Sequence, residues 1–88
     1  MITKDVSVSN KLGLHTRPSA LLVKTATKYR SELMIIKDGM EINGKSIMGV
    51  MMLAAEFNSL ITLQADGVDE EYLMNDLLEL FETKFGEE

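Results

Sequence analysis

The chain has no cysteine and no tryptophan, and only one histidine and one proline among its 88 residues. Without cysteine there is no disulfide framework and no thiolate metal site. A single histidine gives no basis for a histidine-built zinc site either. No apolar run approaches the ~20 residues needed to span a bilayer. Met1-Ile2-Thr3-Lys4-Asp5 carries no signal-peptide pattern. The expectation is a cytoplasmic protein with no membrane insertion. No glycine-rich P-loop pattern occurs, so the usual sequence means of holding a nucleoside triphosphate is missing. The net charge of −5 and the scarcity of aromatics, two Tyr and three Phe, argue against a nucleic-acid partner, which calls for a strong basic footprint.

What is present is enough for one small domain over residues 1–88. A chain of this length buries roughly 60–65% of its unfolded surface, sufficient for a single core without staples. The charge is divided unevenly. Residues 1–49 carry eight Lys/Arg against four Asp/Glu, whereas residues 50–88 carry Lys84 against ten acids. The basic half favours phosphate or an acidic partner surface. The acids of the second half can equally be the solvated face of a helix.

The sole histidine and the sole proline fall together in Gly13-Leu14-His15-Thr16-Arg17-Pro18. Proline is tolerated in the first turn of a helix, where N–H groups have no helical partner. Thr16 is a candidate N-cap, with His15 at or just before it. The imidazole then lies over the positive end of a helix, where the N–H groups of Thr16 and Arg17 can meet an anion. Arg17 adds a guanidinium fork suited to phosphate. Neutral imidazole is a nucleophile at physiological pH, so these residues suggest a phosphorylated histidine. On these features alone a lone histidine at a helix start is more often a plain capping or surface residue.

The rest of the chain alternates between two periodicities. Ile2, Val6 and Val8 recur with period two and predict a half-buried first strand, with Lys4 interrupting the apolar parity. A first helix is expected from Thr16 to Tyr29, with Leu22, Val23, Ala26 and Tyr29 facing the core. Arg17, Ala20, Leu21, Lys24 and Lys28 fall outside, with Leu21 exposed. Leu33 to Lys37 and Met40 to Ile42 read as strands joined by Asp38-Gly39, a strong two-residue hairpin signal. Asn43-Gly44 is a second turn. Ser46 is a favoured cap for a short helix from Ile47 to Ala54, with Val50, Leu53 and Ala54 inward. Ile47, Met48, Met51 and Met52 lie on its other side. Methionine is over-used at surfaces that take several partners, so Ala20, Leu21, Lys24 and these four residues make a candidate docking patch. Asn58 suits a left-handed turn, and Phe57 is expected to be exposed. Leu60 to Ala65 is a fourth strand with Ile61, Leu63 and Ala65 on one face. In the last helix Asp69 is the expected cap, and Val68 with Leu73 a hydrophobic staple. Leu73, Met74, Leu77, Leu78, Leu80, Phe81 and Phe85 form its apolar face. Lys84 is placed in its last turn and Gly86 just past its end.

Two segments carry a resemblance to a known family. Gly13-Leu14-His15-Thr16-Arg17-Pro18-Ser19-Ala20 resembles the phosphorylation-site signature of the HPr family, the histidine phosphocarriers of the bacterial phosphotransferase system. Asn43 to Leu53, Asn-Gly-Lys-Ser-Ile-Met-Gly-Val-Met-Met-Leu, resembles that family's second signature. The likeness covers essentially the whole chain. Asn58 is a mild departure, since many members have glycine there.

The element order βαββαβα is shared by a ferredoxin-like split arrangement and by the HPr fold. The resemblance implies the second: an α+β open-faced β-sandwich of four antiparallel strands with three helices on one face. It also implies a phosphohistidine at Nδ1 of His15, with Arg17 in the catalytic site and Thr16 and Arg17 binding phosphate. The donor it implies is enzyme I, charged by phosphoenolpyruvate, and the acceptors are IIA domains of sugar permeases. Ser46 is then a regulatory site for an HPr kinase/phosphorylase. The chain acts as a phosphotransfer intermediate rather than a stand-alone enzyme, as a monomer, with no metal and no cofactor. Two other readings remain at this point. One is a carrier in a nitrogen-related regulatory branch of the same system. The other is an interaction module that uses the apolar patch and has no need of His15.

Overall fold

The computed structural model describes residues 1–87, and its frame is a four-stranded antiparallel sheet. The strands are β1 (Ile2–Ser7), β2 (Glu32–Lys37), β3 (Met40–Asn43) and β4 (Leu60–Asp66), in the spatial order β1-β4-β2-β3. The last strand therefore sits between the first and the second. Its register sets Val6 opposite Ile61 and Ile35 opposite Leu63. Because side chains alternate across a sheet, that register gathers Leu33, Ile35, Ile61, Leu63 and Ala65 on one buried face. Thr3, Asp5, Thr62 and Gln64 turn to the other. The Asp38-Gly39 link has positive φ at both residues, 50° and 81°, as a type I′ hairpin demands. The open-faced α+β sandwich implied by the resemblance is the observed fold.

Three helices cover the apolar face: α1 (Thr16–Ala26), α2 (Ile47–Met52) and α3 (Glu70–Glu82), followed by a 3₁₀ turn at Lys84–Gly86. Leu22, Val23 and Ala26 of α1 meet Leu73, Met74, Leu77 and Phe81 of α3 in one core. Phe85, in the 3₁₀ turn, packs edge-to-face on Phe81 at 4.9 Å between ring centroids. Among the described residues, no helix is long and apolar enough to cross a membrane.

Several local expectations are corrected. The helix α1 stops at Ala26 rather than Tyr29, because the following N–H groups of Lys28 and Tyr29 bond three residues back, to Thr25 and Ala26. Its cap is His15, not Thr16. Leu21 is half-buried and packs on the core instead of standing free. The helix α2 ends at Met52. Ala54 then takes φ +49°, which turns it outward and sends Ala55 into the core in its place. Val68 is 88% exposed, so no staple forms with Leu73.

Asp69 does not cap α3 with its side chain. Its carboxylate turns across the molecule and accepts from the N–H groups of Arg30 and Ser31, both at 2.9 Å, and from the Ser31 hydroxyl. The Ser31 hydroxyl bond, reinforced by these N–H groups, holds the Asp69 carboxyl down at about 2. Lys84 and Gly86 lie in the 3₁₀ turn beyond α3, where Lys84 and Phe85 both have positive φ. That kink reverses the chain and brings Glu87 back toward α1.

Candidate functional site

A loop held at three points carries His15. Val8 N–H bonds Ser59 O at 2.9 Å, Gly13 N–H bonds Asn10 O at 3.0 Å, and Leu14 N–H bonds Ala55 O at 2.8 Å. Gly13 has φ +69°, and a Cβ there would lie 2.5 Å from Ala55 O. Only glycine lets this loop lie so close to the exit of α2. Leu14 is buried beneath the loop. Ser19, also buried, donates its hydroxyl to Leu14 O at 2.9 Å, which pins the first turn of α1 to the loop.

His15 occupies the N-cap position with extended backbone (φ −75°, ψ −170°) and makes no side-chain cap bond. Its ring is therefore free to point away from the helix, and its side chain is 36% exposed. The first helical bond runs from Ser19 N–H to His15 O at 3.0 Å. The N–H groups of Thr16 and Arg17 stand ahead of that ladder, at the end of the helix where the peptide dipoles are positive. Pro18, buried in the first turn, has no N–H to satisfy.

The ring meets a carboxylate. His15 Nε2 lies 2.9 Å from Oε2 and 3.1 Å from Oε1 of Glu87. Arg17 Nη1 donates to Phe85 O at 2.8 Å and to Glu87 Oε2 at 3.2 Å. Asn10 Nδ2 donates to Gly13 O at 2.6 Å and to Glu87 Oε1 at 3.0 Å. Burial works to raise the Glu87 carboxyl. The hydrogen bonds from His15, Asn10 and Arg17 outweigh it and hold the group below the usual carboxylate range. The His15 ring and the Arg17 guanidinium are thus met by an anion of the chain itself, which contacts their side chains. No sequence signal points to Glu87 or Asn10, because the contacts join residues 72 and 77 positions apart. The only available cue was negative, a carboxylate just beyond a helix end with no local partner.

On the other side of His15 lies a hollow of about 300 Å³, lined also by Leu12, Leu14, Met51, Ala54, Ala55 and Glu56. Met51 is therefore brought to the histidine, whereas Ser46 does not line this hollow. Ile47, Met48 and Met52 are exposed on α2, with Met48 76% accessible. Lys24 is exposed on α1 and Ala20 is half-buried. Leu12, 75% exposed, adds to the apolar rim of this hollow, and Phe57 is 50% exposed as expected. Leu12 is not singled out by period or motif, although an apolar leucine within a loop is a readable signal. Ser46 takes the cap position of α2, where its Oγ accepts from Gly49 N–H at 3.0 Å. Among the described residues, no group of His, Asp and Glu is arranged to hold a metal ion.

An open-faced sandwich whose one histidine stands at a helix start beside an apolar rim defines a class of small α+β phosphocarriers. Comparison with known proteins makes the assignment specific. The family described as "PTS HPr component phosphorylation site" matches residues 2–83. The chain is 47% identical over 88 residues to the phosphocarrier protein HPr of Xylella fastidiosa (strain Temecula1), covering 100% of this chain and 99% of that protein. It is 46% identical over 87 residues to HPr of Cupriavidus necator, covering 99% and 98%. The crystal structure of HPr-C-His from Thermoanaerobacter tengcongensis superposes with a TM-score of 0.97 at 44% identity, covering 100% of this chain and 99% of that one. The chain belongs to the HPr family of phosphocarriers of the phosphotransferase system.

Proposed function

We propose that His15 takes a phosphoryl group from enzyme I and passes it to sugar-specific IIA domains in the cytoplasm, with the chain acting as a monomer. The observation that supports this most is the exposed imidazole at the N-cap of α1, set between positive peptide dipoles and an apolar hollow. The lone pair of Nδ1 attacks phosphorus in line. The bond from phosphorus to the donor breaks, and its electron pair leaves with the donor. Thr16 and Arg17 offer backbone N–H groups, and Arg17 its guanidinium, to charge on the transferring group. The site is shallow and needs no nucleotide, because the phosphoryl group arrives on another protein. The return step is the same reaction with the carrier as donor.

The rim supplies docking. Ala20, Leu21, Lys24, Ile47, Met48, Met51 and Met52 form a soft, mostly apolar surface that different partners can use in turn. Ser46 is the regulatory position, acted on by an HPr kinase/phosphorylase. A phosphate there adds about −1.5 to −2 charges beside Ile47 and Met48 and repels an acidic donor surface.

The test is incubation with enzyme I and labelled phosphoenolpyruvate. Label that is alkali-stable, acid-labile and lost in His15→Ala supports the relay. An unlabelled parent beside a donor that labels a control carrier overturns it.

A further inference from the structure

Seven methionines are spread through the chain, and their sulfurs meet very different surroundings. Met74 is 2% exposed in the core, and Met34 is half-buried on β2. Met48, Met51 and Met52 are 76%, 43% and 65% exposed. These three stand at positions i, i+3 and i+4 of α2, so their side chains are neighbours on one face of the helix. Met51 also lines the hollow that His15 borders. Three accessible thioethers thus lie together beside the nucleophile, on a helix that buries only Val50. Met1 and Met40 are exposed as well, but they belong to the N-terminus and to β3 and do not line that hollow.

We propose that Met48, Met51 and Met52 form an oxidation site, at which a peroxide reversibly turns off partner docking beside His15. The loss of docking rests on the relay reading above, and the site itself does not. A lone pair of the thioether sulfur attacks one peroxide oxygen and the O–O bond breaks. That oxygen stays on sulfur as a sulfoxide, and the other leaves as water. The sulfur loses two electrons and the peroxide gains them. A dithiol reductase reverses the step: the sulfoxide oxygen leaves as water and the dithiol becomes a disulfide. The sulfoxide is polar and chiral where the thioether was apolar and pliable. Its oxygen accepts hydrogen bonds, and an apolar partner surface pressed on the rim has none to give, so docking leaves a polar group unpaired. The fold is spared, because the three side chains stand in solvent while Met74, whose oxidation would disrupt the core, is shielded.

Treatment with hydrogen peroxide followed by peptide mass spectrometry reads the site without any donor. Met48, Met51 and Met52 are expected to gain oxygen before Met34 and Met74, with the urea midpoint unchanged. Methionine sulfoxide reductases are expected to remove that oxygen again. Oxidation of Met74 ahead of the three, or a midpoint that falls in step with their oxidation, overturns the site.

With phosphorylated enzyme I, the oxidised parent is expected to show a KM for labelling raised about tenfold, the low end for an unpaired polar group brought into an interface. A chain carrying Met48→Leu, Met51→Leu and Met52→Leu keeps Met1 and Met40 and has no thioether on α2. Peroxide is expected to leave the KM of that chain where it stood before treatment. An unchanged KM in the oxidised parent, or an equal rise in the leucine chain, overturns the switch while the untreated parent still labels. An untreated parent that does not label overturns the relay instead, and the map of added oxygen still reports the site.

Discussion

The helices α2 and α3 lie on the same face of one sheet and bury their apolar side chains very differently. Over 13 residues α3 buries Leu73, Met74, Leu77 and Phe81, while α2 buries Val50 alone over its six residues. Ile47, Met48, Met51 and Met52 of α2 stay exposed. Apolar side chains thus stabilise the fold in one helix and stay largely exposed in the other. The difference is one of length. A long helix can direct a whole stripe of side chains inward, and a helix of under two turns has room for one. Apolar side chains on a short element therefore deserve a functional reading that the same side chains on a long element do not.

The largest effect that can break this contrast is a pair of truncations. Leu77→Ala leaves a cavity under α3 and should cost about 3 kcal/mol, read as a lower urea midpoint. Met48→Ala should change stability by less than about 0.5 kcal/mol and raise the KM for the phosphorylated donor. If both variants lose stability alike, the exposed methionines are structural after all.

A second comparison concerns the two carboxylates that reach across the molecule, Asp69 and Glu87. Asp69 bonds within the fold, so its effect should appear as acid stability. Its carboxyl is lowered to about 2 from its ordinary 3.8. A lowered group stabilises the folded state above its unfolded pKa and loses that effect as pH falls through the folded one. The urea midpoint of the parent should therefore exceed that of Asp69→Asn by a constant margin above about pH 5. The gap should close between pH 4 and pH 2. A gap independent of pH down to 2 would exclude the charge as its source.

The smallest expected effect refines the boundary of α2. Ala54 has φ +49°, a conformation that costs an L residue about 1 kcal/mol relative to glycine. Ala54→Gly should raise the midpoint by up to that amount, reduced by the extra freedom of glycine in the unfolded chain. A lower midpoint would mean that the methyl group packs in the hollow beside His15.

The sequence disclosed contacts that are local and hid those that are not. The Asp38-Gly39 hairpin, the inward set Ile61, Leu63 and Ala65, and the Ser46 cap all follow from neighbours within a few residues. The position of His15 at the start of α1 follows in the same way. Asp69 was misread because a cap is the nearest use for an aspartate at a helix start, and its partners lie 38 and 39 residues earlier. Val68 is 88% exposed, although its spacing from Leu73 fits a staple. Glu87 escaped altogether, since a period or a motif cannot show which distant carboxylate a folded tail brings to a ring.

The place of β4 between β1 and β2 has a consequence for biosynthesis. The loop that bears His15 is fastened to Ala55 and, through Val8, to Asn58 and Ser59, and β1 pairs in the sheet with residues 60–65. While the ribosome has yet to release that stretch, the imidazole hangs on an unfastened loop. The geometry around the imidazole is therefore complete only once the chain has been made through β4.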